Sequence, residues 1–124
     1  MIFLAVIVAG AFGAVCRYLA DGAFNRLTKF RIPAGTFIIN ISGSFAAGLV
    51  LGYIESYEIP TSEIWVTAIL TGFLGSYTTF STWMVQSTDL WNKRDLAGLT
   101  LNVAGQLCCG LLAAMAGIWI MGGF

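Results

Sequence analysis

Inside an otherwise apolar segment, residues 71–83 read TGFLGSYTTFSTW. Two glycines, Gly72 and Gly75, and six serine and threonine side chains (Thr71, Ser76, Thr78, Thr79, Ser81 and Thr82) share these positions. Glycine lowers helix propensity, and short hydroxyl side chains bond the backbone in ways that compete with the helix. In a membrane, backbone that leaves the helix survives only where protein or a water-filled cavity satisfies its polar groups. Helices broken in this way expose carbonyls and helix ends, which suit small ions. The stretch therefore predicts a broken transmembrane helix beside a path for a small ion.

The rest of the composition supports a membrane setting. The 124 residues are 58% hydrophobic and 10% charged, with a mean hydropathy of +0.85; soluble domains carry roughly a quarter charged residues. At about 20 residues per span the chain has room for four helices and little else. The expected fold is an all-α membrane protein of four transmembrane helices, the third broken, forming one domain over residues 1–124. Four short helices do not readily enclose a conduction path, so an oligomer is expected. Six basic and six acidic residues cancel, which argues against a nucleic-acid partner. There is no histidine, and no acidic residue lies in the middle of a span. That removes most acid–base and metal chemistry and predicts no enzyme activity. Cys16, Cys108 and Cys109 offer neither a disulfide framework nor a CxxC metal site and are read as small packing residues.

The spans are expected at residues 2–19, 35–54, 64–90 and 96–121. In the first, Ala9, Gly13 and Arg17 recur every four residues on one face, where small residues permit close helix contact. Arg17 either snorkels to the interface or points at a partner group. The first loop, 21–34, carries Arg26, Lys29 and Arg31 and ends after Pro33. The second span has Asn40 in its middle, followed by Ser42, Ser44 and a Gly48/Gly52 GxxxG pair. A lone intramembrane asparagine serves as helix–helix glue or offers an amide donor to an anion. The second loop, 55–63, is acidic, with Glu55, Glu58, Pro60 and Glu63. In the fourth span Asn102, Gln106 and Gly110 form a stripe that fits a packing face or a polar track equally.

The basic residues are placed asymmetrically. Arg17, Arg26, Lys29, Arg31, Lys93 and Arg94 all fall in or beside the first and third loops, and none falls on the other side. The positive-inside rule places those loops in the cytoplasm and both termini outside.

GAFGAVCRY in the first span, GTFIINISGSFAAG in the second and GFLGSYTTFSTW in the third resemble the Fluc/CrcB family of fluoride channels, and the order and spacing fit over nearly the whole chain. The resemblance implies four-helix subunits assembling as an antiparallel dimer in the plasma membrane. Such dimers let fluoride leak passively from the cytoplasm and limit its toxicity. It also implies two pores and a structural sodium ion on the dimer axis at the break in the third helix. Matched position by position, the sodium-coordinating backbone carbonyls fall on Gly75 and Thr78. The pore asparagine falls on Asn40 and the family arginine on Arg17. The first ring of a paired aromatic motif falls on Phe80, and a hydroxyl track on Ser81 and Thr82. Asn102 and Gln106 occupy positions where the family places polar pore-lining residues.

The departures begin at Trp83. The family pattern continues with Phe, Ser and, two residues on, Glu; this chain has Trp83, Met84 and Gln86 there. An indole replaces the second ring, a hydroxyl is lost and a carboxylate becomes an amide. With the six-to-zero charge bias, these changes predict one half of a heterodimer with an oppositely oriented homologue. A homodimer oriented by assembly is the competing arrangement. Two other functions compete. A small multidrug-type cation/proton exporter needs a buried carboxylate, which the first span lacks, and a non-conducting structural subunit needs only the small-residue faces.

Overall fold

The computed structural model describes residues 1–27 and 34–122. Lys29, Arg31 and Pro33 of the first loop lie outside the described residues. The described residues form helices joined by short turns. α1 spans Ile2–Leu27 and α2 spans Ala34–Ser56. The third segment, α3, begins as a short α-helical piece, Ile64–Thr67, widens into a π-helix over Ala68–Leu74 and closes with an α-turn, Gly75–Tyr77. After a break the chain resumes as α4, Phe80–Asn92, and ends in α5, Leu96–Ile120. Among the described residues, three helices are long and apolar enough to cross a membrane: Ile2–Phe24, Ala34–Ser56 and Leu96–Ile120. α3 and α4 together supply the fourth, interrupted passage.

α1 runs eight residues past its expected end at residue 19. Asp21 and Arg26, expected in a loop, are helical, because polar residues alone do not stop a helix that neighbours support. At the far end of the chain, Asp95 caps α5 by accepting from the Gly98 N–H at 2.9 Å.

Small residues set the packing. The fully buried large side chains are few, among them Ile39 and Val66, whereas Gly43, Gly48, Gly52, Gly72, Gly98 and Gly117 are all buried. With no hydrophobic drive between helices in lipid, close backbone approach is what holds such a bundle together. The Gly48/Gly52 pair does this on α2. A Cβ at Gly48 would strike the Ala114 carbonyl of α5, and one at Gly52 would lie 2.7 Å from the Ile118 carbonyl. Gly117 answers from α5, with Phe45 O at 2.5 Å from its own virtual Cβ.

On α1, the Ala9/Gly13/Arg17 stripe follows the third segment. Gly72 packs on Ala9 and Val6, a Cβ at Gly13 would strike the Phe73 carbonyl, and Arg17 reaches Thr78. Cys16 is half-buried, and Cys108 and Cys109 are exposed on α5.

Candidate ion path at the helix break

The break is two residues wide. Thr78 (φ −75°, ψ 161°) and Thr79 (φ −146°, ψ 121°) are extended, whereas Gly75 keeps helical angles (φ −62°, ψ −31°). The glycines expected to unwind the helix therefore do not do so. Gly72 is needed for its closeness to α1, and Gly75 begins the last helical turn before the break. Threonine suits the extended state, since a β-branched side chain is stiff in a helix and at home in β conformation.

The freed backbone groups find specific partners. In an unbroken helix the Thr79 N–H would donate to Gly75 O; here it donates to Asn40 Oδ1 at 2.9 Å. Asn40 Nδ2 donates back to Thr79 O at 3.1 Å. One amide thus clamps both polar groups of one extended residue, as a neighbouring strand would. The Thr82 N–H, whose helical partner would be Thr78 O, donates instead to Thr79 Oγ1 at 3.3 Å, capping α4. Arg17 Nη1 donates to Thr78 O at 3.3 Å. Of the two alternatives for Arg17, the geometry shows the second: it points at a carbonyl of the break.

The clamp continues as a chain of hydrogen bonds in one direction. Asn40 Nδ2 donates to Gln106 Oε1 at 2.7 Å, and Gln106 Nε2 donates to Asn102 Oδ1 at 3.1 Å. Asn102 Nδ2 donates to Ser87 Oγ at 3.0 Å, which donates to Trp83 O at 2.8 Å. The direction is fixed at its origin. A backbone N–H can only donate, so Asn40 must turn its oxygen to Thr79, and each later amide follows. Asn102, 0% exposed, lines neither cavity described below. It also accepts the Trp83 Nε1–H on its backbone oxygen at 3.0 Å. With its N–H so occupied, the indole offers the first cavity described below a hydrocarbon ring, as phenylalanine would. Trp83 meets Phe80 edge to face, with centroids 5.4 Å apart and planes at 76°.

Two cavities flank Thr79. The first, about 260 Å³, is lined by Asn40, Ser44, Thr78, Thr79, Phe80, Trp83, Gln106 and Leu107, and none of these is charged. The second, about 190 Å³, is lined by Ala14, Arg17, Tyr18, Asp21, Thr36, Ile39, Thr79 and Thr82. The sequence-expected residues therefore divide. Asn40, Phe80, Trp83 and Gln106 meet at the first cavity, and Arg17 and Thr82 at the second. Ser81 stands on the exposed side of α4, its hydroxyl 3.4 Å from that of Thr79.

Sequence reasoning gave three residues no individual role. Thr79 is the hub of the break. Asp21, read as lying beyond the first span, is one helical turn after Arg17 in the second cavity, and its Oδ1 is buried without a hydrogen bond. Ser44 was noted only as a polar neighbour of Asn40. The i, i+4 spacing of Arg17 and Asp21 was the available signal for the second. Gln86, where the family has a carboxylate, donates Nε2 to Thr36 Oγ1 at 2.8 Å and leaves Oε1 buried and unpaired.

Known proteins match this chain over almost its whole length. The family described as CrcB-like protein, Camphor Resistance (CrcB), matches residues 4–118. The chain belongs to the CrcB family. The "Fluoride-specific ion channel FluC" of Maridesulfovibrio salexigens is 38% identical over 116 residues, which cover 94% of this chain and 91% of that one. The "Fluoride-specific ion channel FluC 2" of Bacillus cereus is 37% identical over 119 residues, 96% of each chain. The "Fluoride-specific ion channel FluC 1" of Leifsonia xyli subsp. xyli is 36% identical over 122 residues, 98% of this chain and 88% of that one. Like the rest of its family, the protein is a multi-pass membrane protein and not an enzyme.

Proposed function

We propose that this chain is a subunit of a passive fluoride channel that lets fluoride leave the cytoplasm. The observation that carries the reading is the uncharged cavity at the helix break. Fluoride is small and strongly hydrated, so a pore must replace its water with donors, and the edges of aromatic rings carry positive partial charge. Hydroxyl and amide groups beside Phe80 and Trp83 supply both without a fixed cation that would trap the ion. The N-terminus of α4 adds its positive dipole end beside Phe80. The names of the relatives point to the same ion.

One chain does not enclose this path. Phe80 is 68% exposed, and Ser81 and Thr82 are also exposed. A second chain that covers them would complete the path, and an antiparallel dimer in the plasma membrane is the arrangement we propose. The charge bias and the run from Trp83 to Gln86 favour an oppositely oriented homologue as that partner.

A structural sodium ion at the dimer axis fits the donor set. The break redirects the N–H groups that would serve Gly75 O and Thr78 O, and carbonyl oxygens are ligands for a hard cation. Two chains would supply four such oxygens. Thr78 O already accepts from Arg17, and a carbonyl carries a second lone pair for the ion. Bound there, sodium would tie the two breaks together. The chain's own residues do the rest. Asn40 holds the break open, Arg17 steadies Thr78, and Phe80 and Trp83 shape the aromatic wall.

The test is growth. In a bacterium lacking its own fluoride exporters, this chain, alone or with an oppositely oriented relative, restores growth in fluoride. Failure to restore growth with any such partner, despite membrane insertion, would refute the proposal.

A further inference from the structure

The hydrogen bonds around the first cavity redistribute the role expected of Asn40. Its amide has two hydrogens, and both are spent, one on Thr79 O and one on Gln106 Oε1. Other donors on this wall are spent as well. The Thr78 hydroxyl donates to Leu74 O, that of Thr79 to Thr82 Oγ1, the Thr79 N–H to Asn40 and the Trp83 N–H to Asn102 O. Two side-chain donors remain among the residues lining the cavity. Gln106 Nε2 uses one hydrogen on Asn102 Oδ1 and has a second, and the Ser44 hydroxyl has no hydrogen-bond partner among the described residues. Gln106 is 6% exposed and lines the cavity, so what reaches that hydrogen reaches it there.

We infer that in this chain Gln106, together with Ser44, presents the donors that take up fluoride in the first cavity, and that Asn40 serves as the clamp of the break. The inference rests on the channel reading above and assigns a donor pair within it. It follows from one property of a primary amide: an N–H that already serves a carbonyl is not available to an anion. Polarisation along the chain favours the same assignment. Gln106 Oε1 accepts from Asn40, and accepting at one end of an amide strengthens donation at the other. Ser44 stands on α2 one turn after Asn40, and Gln106 stands on α5, so the two donors reach the cavity from different helices.

The alternative, in which Asn40 is the donor, makes the opposite prediction for one substitution. Gln106→Met keeps the length of the side chain and removes its amide. If Gln106 is the donor, fluoride flux falls about tenfold or more, the scale of a lost hydrogen bond to an ion. If Asn40 is the donor, the same change releases an Asn40 hydrogen and flux stays level or rises, which would overturn the inference. Ser44→Ala removes the second donor without touching the chain of amides and is expected to lower flux comparably; unchanged flux would contradict its share.

A measurement on the unsubstituted protein keeps the inference testable if Gln106→Met does not fold. The chain has two glutamines, Gln86 and Gln106. Labelling glutamine with ¹⁵N in the assembly that carries flux gives two amide pairs by NMR, assigned with Gln86→Met. Titrated fluoride should move one Gln106 proton downfield and leave the Gln86 pair in place. A Gln106 pair that stays still while fluoride flows would refute the inference alone. Absence of flux from the unsubstituted chain in every pairing would refute the channel reading beneath it.

Discussion

Asn40→Ala removes three hydrogen bonds at once, to Thr79 N–H, Thr79 O and Gln106 Oε1. Interhelical hydrogen bonds in membranes are worth about 0.6 kcal/mol on average, which sets a floor of about 2 kcal/mol for the three. All three groups left behind, Thr79 N–H, Thr79 O and Gln106 Oε1, are poorly hydrated: Thr79 is 8% exposed and Gln106 6%. Leaving a buried polar group unpaired costs about 1–3 kcal/mol, so three such groups raise the ceiling to about 9 kcal/mol. The adjoining polar cavity can admit water to a stranded carbonyl, which argues for the lower half of that range. Reversible unfolding in mixed micelles, driven by added dodecyl sulfate, measures the loss. In a Gln106→Met background one fewer group is orphaned, so Asn40→Ala should cost about 1 kcal/mol less than in the native chain. A loss below about 1 kcal/mol, additive with Gln106→Met, would show that Asn40 does not clamp the break.

Four further outcomes are expected. Gly48→Ala should separate α2 from α5 and cost about 1–3 kcal/mol in the same unfolding assay, as overpacking does. Gly22→Ala is its control. Its Cβ meets nothing within 4 Å, so the change should raise helix stability by up to about 1 kcal/mol. Trp83→Phe should keep fluoride flux within about threefold, since the indole N–H bonds Asn102 O away from the path and one such bond is worth about 0.6 kcal/mol; abolished flux would contradict the assigned orientation. Purifying the protein with N-methylglucamine in place of sodium should lower the thermal stability of the proposed dimer, read by loss of a dimer peak on gel filtration after heating.

The break was legible in the sequence as a place, though its chemistry was not. Hydroxyl density marks residues 71–83 because lipid tolerates such a run only beside protein or water. The glycines misled as to where the chain unwinds. Gly72 answers the backbone of α1, a tertiary demand that propensity does not encode, and the unwinding falls on Thr78 and Thr79. The π-turn Ala68–Leu74 left no mark, since adding a residue to a turn changes no residue type. The end of α1 was placed too early because Asp21 reads as a loop residue until its neighbours are known. The stripe of Asn102 and Gln106 was visible from its i, i+4 spacing, and Asn40 stood out as a lone amide. That the three form one relay depends on the register between α2 and α5. Glycines set that register, and sequence periodicity gives the faces but not the offset between them.

The central claim is that this chain carries fluoride, and efflux from proteoliposomes tests it most directly. With fluoride inside and an electrode outside, the chain, paired where necessary with an oppositely oriented relative, should release fluoride rapidly while chloride stays trapped. Proteoliposomes that retain fluoride in every pairing, or release chloride as readily, would contradict the account.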